Sequence, residues 1–205
     1  MFYSFNKIIL DYLVSLIFII ILIPFLALIA FFIRVESSGK IFYLGERVGK
    51  DLKIFKIIKF RTMIENAESL GGLVTSEEDN RITKVGRFLR KYKLDELPQF
   101  FNIIKAEMSL VGPRPEALEF VELYSNEDKK IIYSVKPGIT DLSSLEFIKL
   151  DQVLGPKDDD SKFQEEVDKV LDRKLELRKQ YVFKRSFLMD LKILMLTFQK
   201  LVGLE

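Results

Sequence analysis

The sequence predicts a mostly helical α+β protein that consists of an N-terminal membrane anchor and one compact domain. Residues 12–33 contain no charged side chain, which is typical of a membrane segment. Two stretches rich in aromatic and aliphatic residues, 41–48 and 52–60, lie on either side of Gly49-Lys50-Asp51 and predict a β-hairpin. Apolar residues then recur at helical spacing. The length of 205 residues suits one moderate domain behind the anchor.

The uncharged segment could cross a bilayer, because its 22 residues would extend about 33 Å as a helix. It is longer than the apolar part of a signal peptide. Pro24 lacks an amide hydrogen and predicts a kink or break near the middle. The residues alone favour a kinked spanning helix over a segment that turns at Pro24 and leaves on the same side. Lys7 and Arg34 lie on either side of the segment and do not decide between the two.

Periodicity and turn residues predict the remaining elements. The helix beginning near Asp95 would bury Leu97, Phe101, Ile104 and Met108. The last helix is either a core helix or one that lies at the membrane interface. Gly71-Gly72 predicts a loop, and residues 136–140, Lys-Pro-Gly-Ile-Thr, predict a type II turn. Helices are predicted over residues 82–92, 95–107, 116–124, 163–181 and 187–201.

The composition restricts the chemistry. The chain has no Cys, His or Trp, so thiol catalysis, disulfides, a Ser-His-Asp triad and a Cys/His zinc site are excluded. The net charge of +2 argues against a general nucleic-acid binder. Basic residues are nevertheless concentrated after the anchor and in residues 81–93, which hold six basic residues and no acid. These stretches indicate anionic lipid, a phosphorylated substrate, or a solvated charged surface.

Asp95 and Glu96, in the segment Leu-Asp-Glu-Leu-Pro, are the candidate catalytic residues. Asp is a good N-cap and Pro is accepted in a first helical turn, so Asp95 is predicted to cap a helix. Both carboxylates would then lie at the positive end of the helix dipole. Adjacent carboxylates can hold Mg²⁺ with substrate phosphates, and an ionised Asp can attack phosphorus. Taken alone, the motif favours an ordinary helix start, because such caps are common.

Further cations could bind phosphate. Lys59, Arg61 and Thr62 come together at the end of a predicted strand. Arg90 precedes the dyad, and Arg114 lies between two prolines that restrict its backbone. Each of these groups is also consistent with solvated surface charge.

These segments together resemble the bacterial sugar transferases, the monotopic polyprenyl-phosphate phosphoglycosyl transferases. The resemblance covers nearly the whole chain, and the length matches the small members. It is carried by the apolar segment with its central proline and by five motifs: residues 59–63 (Lys-Phe-Arg-Thr-Met), 94–99 (Leu-Asp-Glu-Leu-Pro-Gln), 109–115 (Ser-Leu-Val-Gly-Pro-Arg-Pro), 136–140 and 190–192 (Asp-Leu-Lys).

The resemblance implies transfer of a sugar 1-phosphate from a UDP-sugar to undecaprenyl phosphate, with release of UMP and a requirement for Mg²⁺. Asp95 matches the nucleophile that forms the phosphosugar intermediate, and Glu96 matches its partner at the Mg²⁺. The other matched positions are basic or hydroxyl residues near the phosphates: Lys59, Arg61, Thr62, Arg90 and Arg114.

The resemblance also implies a membrane location. Residues 1–35 would form a re-entrant helix-break-helix, which reverses the preference for a spanning helix, and residues 36–205 would form the catalytic domain with interfacial helices. The protein would start surface glycan assembly, of the exopolysaccharide or lipopolysaccharide kind, at the cytoplasmic face of the inner membrane. The expected partners are a phospholipid membrane, the two substrates and a homodimer partner, but no nucleic acid.

The chain departs from the family pattern at three places. Residues 142–147 and the acidic segment 151–172 stand in place of the Asn-Gly-Arg-Asn type of segment that the family often has. Ile23 stands where a Ser usually precedes the membrane proline, and Asp141 stands where small members often have Gly. If residue 141 needs a positive φ, Asp is tolerated less well there than Gly. Two other functions stay open. One is a metal-dependent glycosyltransferase that uses Asp158 and Asp160, and the other is a non-enzymatic membrane scaffold.

Overall fold

The structure is a computed structural model that describes residues 2–67, 79–147 and 160–203. The chain divides into two compact units. Unit 1 comprises Met1–Asp11, Arg47–Phe55 and Glu107–Glu205, and unit 2 comprises Tyr12–Glu46 and Lys56–Ala106. The predicted loop at Gly71-Gly72 and residues 151–159 of the acidic segment 151–172 lie outside the described residues. The elements confirm a mostly helical α+β fold.

Helix α1, Phe2–Glu36, contains the predicted anchor. Most of its large apolar side chains are exposed, for example Leu13, Ile21 and Phe31, whereas Ile29 and Ile33 are buried. A helix that is apolar all round needs either a protein core or lipid around it, and the exposed side chains have no core around them. Within the described residues it is the one helix long and apolar enough to cross a membrane.

Helix α1 continues through Pro24, so the predicted break in helical structure is not present. Proline removes one backbone hydrogen bond and can bend a helix while the flanking turns stay helical. The re-entrant course of the segment and the division at residue 35 therefore stay predictions.

The predicted hairpin is confirmed. Strands β1, Phe42–Val48, and β2, Ile54–Phe60, pair in a two-stranded sheet. The connection contains a 3₁₀ turn, Lys50–Leu52, and the amide of Gly49 donates to the carbonyl of Lys53 at 2.8 Å. Phe55, Ile57 and Phe60 of β2 are buried.

In unit 2, the predicted helix at 82–92 is helix α2, Lys84–Lys91. The Thr83 hydroxyl caps its first turn by accepting the amide hydrogen of Gly86 at 2.9 Å. Leu89 of α2 packs in a core cluster with Phe60 of β2 and with Ile29 and Ile33 of α1. The helix that carries most of the basic stretch 81–93 therefore packs against both the anchor and the hairpin.

The prediction that Asp95 caps a helix is wrong. Lys93 has the left-handed conformation (φ 55°) and is followed by a 3₁₀ turn, Leu94–Glu96, in which Asp95 lies. Helix α3 begins later and spans Gln99–Ile104. The left-handed Lys93 and the 3₁₀ turn therefore stand where the sequence predicted a single helix start. Helix α3 begins only after Pro98, which can donate no backbone hydrogen bond.

The predicted core face of this helix is also wrong in part. Gln99, Asn102 and Ile103 are the buried residues of α3, whereas only Met108 of the predicted set is buried. Asn102 faces inward because its side chain bonds β2: Oδ1 accepts from the amide of Ile58 at 2.9 Å, and Nδ2 donates to the carbonyl of Lys56 at 2.8 Å.

Unit 1 contains a second sheet, in which β3, Ser109–Val111, pairs in parallel with β4, Gly138–Thr140. The type II turn predicted at residues 136–140 is wrong, because Gly138 lies in a strand without a positive φ. A Cβ at Gly138 would collide with the backbone of Gly112, so glycine is needed for close approach of the two strands.

The remaining helices surround this sheet. They are α4 Leu118–Glu122, α5 Asn126–Ile132, α6 Leu142–Glu146, α7 Asp160–Lys184 and α8 Phe187–Leu201. Helices α5 and α6 pack on α7, and β3 and β4 pack on α8. The predicted helices at 116–124, 163–181 and 187–201 are thus confirmed with shifted ends. Leu188, Met195 and Phe198 of α8 are exposed, whereas Ile193 is buried, and an interfacial position of this helix stays a prediction.

Candidate active site

The dyad lies beside the end of β2. Asp95 is buried, at 9% exposure, in the turn that joins α2 to α3. The ammonium of Lys59, in β2, forms an ion pair with Oε1 of Glu96 at 2.8 Å. The structure therefore brings together one predicted cation and the predicted catalytic pair.

Asp95 has an unusual environment for an acid. Burial raises its pKa and the neighbouring charge of Glu96 raises it further, while Lys59, Arg90 and Lys93 oppose the shift. No hydrogen-bond donor is assigned to its carboxylate among the described residues, although three cations act on it. The nearby cations favour the ionised form of this carboxylate, and its oxygen atoms can accept bonds from a ligand.

Arg90 approaches the dyad from α2. Its Nε donates to the hydroxyl of Thr62 at 2.9 Å, and its charge is attracted by Asp95. Thr62 is buried, and its carbonyl accepts the amide hydrogen of Thr83 at 3.0 Å. The predicted Thr62 therefore lies next to Arg90 and orients it.

Arg61 is placed elsewhere. Its guanidinium donates to the carbonyls of Ser38 at 2.6 Å and Ser37 at 2.8 Å, and to the Ser37 hydroxyl at 2.8 Å. Only 9% of Arg61 is exposed. These donors hold the chain that leaves α1, so the structure gives Arg61 a structural role, and its contact with phosphate stays a prediction.

Arg114 belongs to unit 1, in the segment that follows β3. Its backbone amide donates to Oδ2 of Asp141 at 3.2 Å. Asp141 has φ −154° and caps α6, so the positive φ considered for this position is not present and Asp replaces Gly without strain.

The comparison with protein families identifies the relationship. The model for the bacterial sugar transferases matches residues 2–203. The chain belongs to the bacterial sugar transferase family.

Individual relatives agree with this assignment. The chain is 42% identical over 140 residues to a UDP-N-acetylgalactosamine-undecaprenyl-phosphate N-acetylgalactosaminephosphotransferase of Aeromonas hydrophila, a match that covers 67% of this chain and 33% of that protein. It is 35% identical over 194 residues to a UDP-glucose:undecaprenyl-phosphate glucose-1-phosphate transferase of Klebsiella pneumoniae, covering 93% of this chain and 38% of the relative.

A third relative is closer in length. It is the uncharacterized sugar transferase EpsL of Bacillus subtilis (strain 168), which is 36% identical over 173 residues, covering 84% of this chain and 75% of the relative. In contrast, the chain spans about a third of the length of the Aeromonas and Klebsiella proteins.

Asp95 and Glu96 are the residues that would hold Mg²⁺ together with substrate phosphates. The described residues contain no group of three or more metal-binding side chains, so a site built from protein ligands alone is not formed there. Mg²⁺ usually keeps several waters and uses one or two carboxylates with substrate phosphates. Asp95, which lies beside the charge of Glu96 and accepts no hydrogen bond from the described residues, offers that kind of ligand. When bound, Mg²⁺ would neutralise charge on the phosphates.

Three supporting residues of this sugar transferase were missed from the sequence. Glu36 accepts the amide hydrogens of Lys84 at 2.7 Å and Val85 at 2.8 Å, so it fixes the start of α2. Gly86 lies against the backbone of Thr62, where a Cβ would collide. Thr83 could have been recognised as an N-cap before an apolar repeat. Glu36 and Gly86 act on partners that are distant in the sequence, so no local pattern indicates them.

The alternative metal motif lies at the gap before α7. Asp158 lies outside the described residues, and Asp160 is the first residue of α7.

Proposed function

We propose that this chain transfers a sugar 1-phosphate from a UDP-sugar to undecaprenyl phosphate and releases UMP, as the first membrane step of surface glycan assembly. The observation that carries the proposal is the buried Asp95 carboxylate, which has no donor among the described residues and next to which Glu96 pairs with Lys59. The names of the Aeromonas and Klebsiella relatives support this reaction class.

The first step is attack by a carboxylate oxygen of Asp95 on the phosphorus bound to the sugar. The new bond joins Asp95 to the sugar phosphate, and the bond to the bridging oxygen breaks, so that oxygen leaves with UMP. Lys59 and Arg90 would stabilise the negative charge that develops on the phosphates. Thr62 orients Arg90 for this role.

In the second step an oxygen of undecaprenyl phosphate attacks the same phosphorus. This forms the diphosphate link to the lipid and restores the Asp95 carboxylate. The attacking phosphate is already ionised, so the step needs no imidazole base, in agreement with a chain that contains no His. The order implies ping-pong kinetics, in which UMP leaves before the lipid reacts.

The contacts at the two ends of α1 support a monotopic anchor at the cytoplasmic face. Near its start, the hydroxyl of Tyr3 donates to Asp190 at 2.9 Å and Lys7 pairs with Asp190 at 2.8 Å. At its end, Glu36 accepts from the amides of α2. No uncharged stretch comparable with residues 12–33 occurs after residue 36, so Asp190 stays on the side where α1 ends. A helix that crossed once would place Lys7 on the opposite side from Asp190.

The decisive experiment incubates the full chain with a panel of UDP-sugars, undecaprenyl phosphate and Mg²⁺, and identifies the nucleotide released. UMP release with formation of the lipid-linked sugar is expected. Release of UDP would reject the proposal and support a glycosyltransferase that cleaves the sugar–phosphate bond. No release with any donor would support a scaffold.

Asp95→Asn should abolish activity and the covalent intermediate that forms in the absence of lipid. Asp128→Asn is a matched control, because Asp128 pairs with Lys179 on α7 in unit 1. Labelled sugar phosphate that remains bound to the Asp95→Asn variant would count against Asp95 as the nucleophile.

A further inference from the structure

Helix α2 and the residue that follows it present an outer face on which an aromatic pair lies among cations. Phe88 and Tyr92 are 56% and 51% exposed, and their ring centres lie 4.9 Å apart. The ammonium of Lys91 lies 5.5 Å from the centre of the Tyr92 ring. Lys84 and Arg87 are exposed on the same side of the helix and complete the outer face. Large apolar side chains that are exposed together mark a surface that contacts a partner or a membrane.

The outer face points away from the candidate active site. Successive residues of a helix are rotated by about 100°, so Phe88 and Arg90 lie about 200° apart around α2. Arg90 is the residue of this helix that serves the site, and its Nε donates to the Thr62 hydroxyl at 2.9 Å. The proposed reaction therefore does not account for the exposed aromatic pair on the other side of the helix.

Helix α2 runs back along the last turns of the anchor, and both belong to unit 2. Glu36, the last residue of α1, accepts two backbone amide hydrogens from the first turn of α2. Leu89, farther along α2, packs in one core cluster with Ile33 and Ile29, which precede Glu36 along α1. Both isoleucines belong to the uncharged segment 12–33. The aromatic pair therefore lies beside the end of the membrane segment, whether α1 crosses the bilayer or re-enters.

The charge of the outer face is positive throughout. Residues 81–93 contain six basic residues and no acid. Glu36, which lies at the start of α2, already accepts two amide hydrogens. Anionic phospholipids attract Lys and Arg side chains that lie near the bilayer surface. Tyr rings and the apolar stems of Lys and Arg also suit the boundary between head groups and acyl chains.

We infer that the outer face of α2 docks on the bilayer and binds the head groups of anionic phospholipids. Phe88 and Tyr92 enter the boundary between head groups and acyl chains, and the three cations, Lys84, Arg87 and Lys91, contact the lipid phosphates. Charge complementarity and continuity with the exposed apolar surface of α1 favour this occupant. A second copy of the chain that docked through the same face would bring like charges together.

The absence of Trp from the chain permits a direct test. Phe88→Trp places a single indole on the outer face, and Phe31→Trp places one on the exposed surface of the anchor as a reference. Each full-length variant is reconstituted into nanodiscs of phosphatidylcholine and phosphatidylglycerol. Either the phosphatidylglycerol or an equal amount of the phosphatidylcholine carries bromine high on its acyl chains, and the quenching of indole emission by the two lipids is compared.

Both brominated lipids should quench Phe88→Trp, and brominated phosphatidylglycerol should quench it several-fold more strongly than the same amount of brominated phosphatidylcholine. The reason is that each cation near an anionic surface changes binding by about fivefold. Phe31→Trp should be quenched to a similar extent by the two lipids, because the anchor surface around it is apolar.

Two double variants in the Phe88→Trp chain separate the role of the cations from net charge. Lys84→Gln with Lys91→Gln removes two cations of the outer face and should abolish most of the preference for phosphatidylglycerol. Lys53→Gln with Lys130→Gln removes two exposed cations outside α2 and should keep the preference. Unfolding temperatures verify that each variant is folded.

Three results would overturn the inference. Equal quenching of Phe88→Trp by the two lipids would show membrane contact without selection for anionic head groups. Quenching by acrylamide from the water, but by neither lipid, would show that the outer face contacts solvent. Protection from acrylamide and from both lipids would show that a second copy of the chain covers it. Since no substrate is present in this experiment, such a failure leaves the proposed function intact, and UMP release tests that function separately.

Discussion

The ammonium of Lys59 lies 2.8 Å from Oε1 of Glu96, so the end of β2 is joined directly to the turn that holds Asp95. This ion pair partly compensates the repulsion between the two adjacent carboxylates, since Lys59 lowers the pKa of Asp95 while Glu96 raises it. The cation is also positioned to interact with a phosphate that enters beside the dyad.

Lys59→Gln should therefore lower kcat/KM by about 10²-fold, because a preorganised cation beside the developing charge is lost. Steady-state UMP release measures the effect. Lys56→Gln is the matched control, since Lys56 lies on the same strand with its side chain exposed, and it should retain activity. Equal activity of the two variants would show that Lys59 has no part in the reaction.

Mg²⁺ should stabilise the wild-type chain but not the Asp95→Asn variant when UDP is present. A ligand that binds only the folded state raises the unfolding temperature by mass action. A thermal-shift titration with Mg²⁺ and UDP, compared with a chelator, measures the difference. A similar rise in both proteins would place the ion away from Asp95.

Without metal, Asp95→Asn should be at least as stable as the wild type at neutral pH. The raised pKa of Asp95 means that its ionised form is disfavoured in the folded state, so its contribution to stability falls as the pH rises through that pKa. Asn removes the buried charge and keeps the shape. Marked destabilisation of the variant in chelator would show that the ionised carboxylate has a structural partner.

Arg61→Ala should reduce stability more than catalysis. The guanidinium makes charge-assisted hydrogen bonds to Ser37 and Ser38 that fix the exit of α1, so its loss should lower the free energy of unfolding by about 2–4 kcal/mol. Denaturation and donor KM are both measured. A large rise in donor KM with unchanged stability would instead support the prediction that Arg61 contacts substrate.

The sequence predicted the elements whose signals are local. The hairpin follows from two apolar stretches around Gly49, and α2 follows from its apolar repeat. The turn predicted at Gly138 was wrong because the partner of that strand, Ser109–Val111, is distant in the sequence. The dipeptide Pro137-Gly138 is equally expected in a turn and in a strand whose glycine lets a neighbouring strand approach closely.

The site could be predicted in part, because some of its residues also have local sequence signals. Asp95, Glu96 and Lys59 were recognised by residue type and motif, and the structure brings them together. The different uses of Arg61 and Thr62 could not be foreseen, because neighbouring side chains at the end of a strand point in different directions. Arg61 bonds the chain after α1, whereas Thr62 bonds Arg90.

The absence of cysteine permits a direct test of the anchor. Asn6→Cys and Lys40→Cys place single thiols at exposed positions near the start of α1 and after its end. A monotopic anchor predicts that a membrane-impermeant maleimide labels neither thiol in intact spheroplasts and both after permeabilisation. A spanning helix predicts that one of the two is labelled from outside. Since Lys7 pairs with Asp190 at 2.8 Å, we expect the monotopic result, and labelling of Asn6→Cys in intact spheroplasts would contradict it.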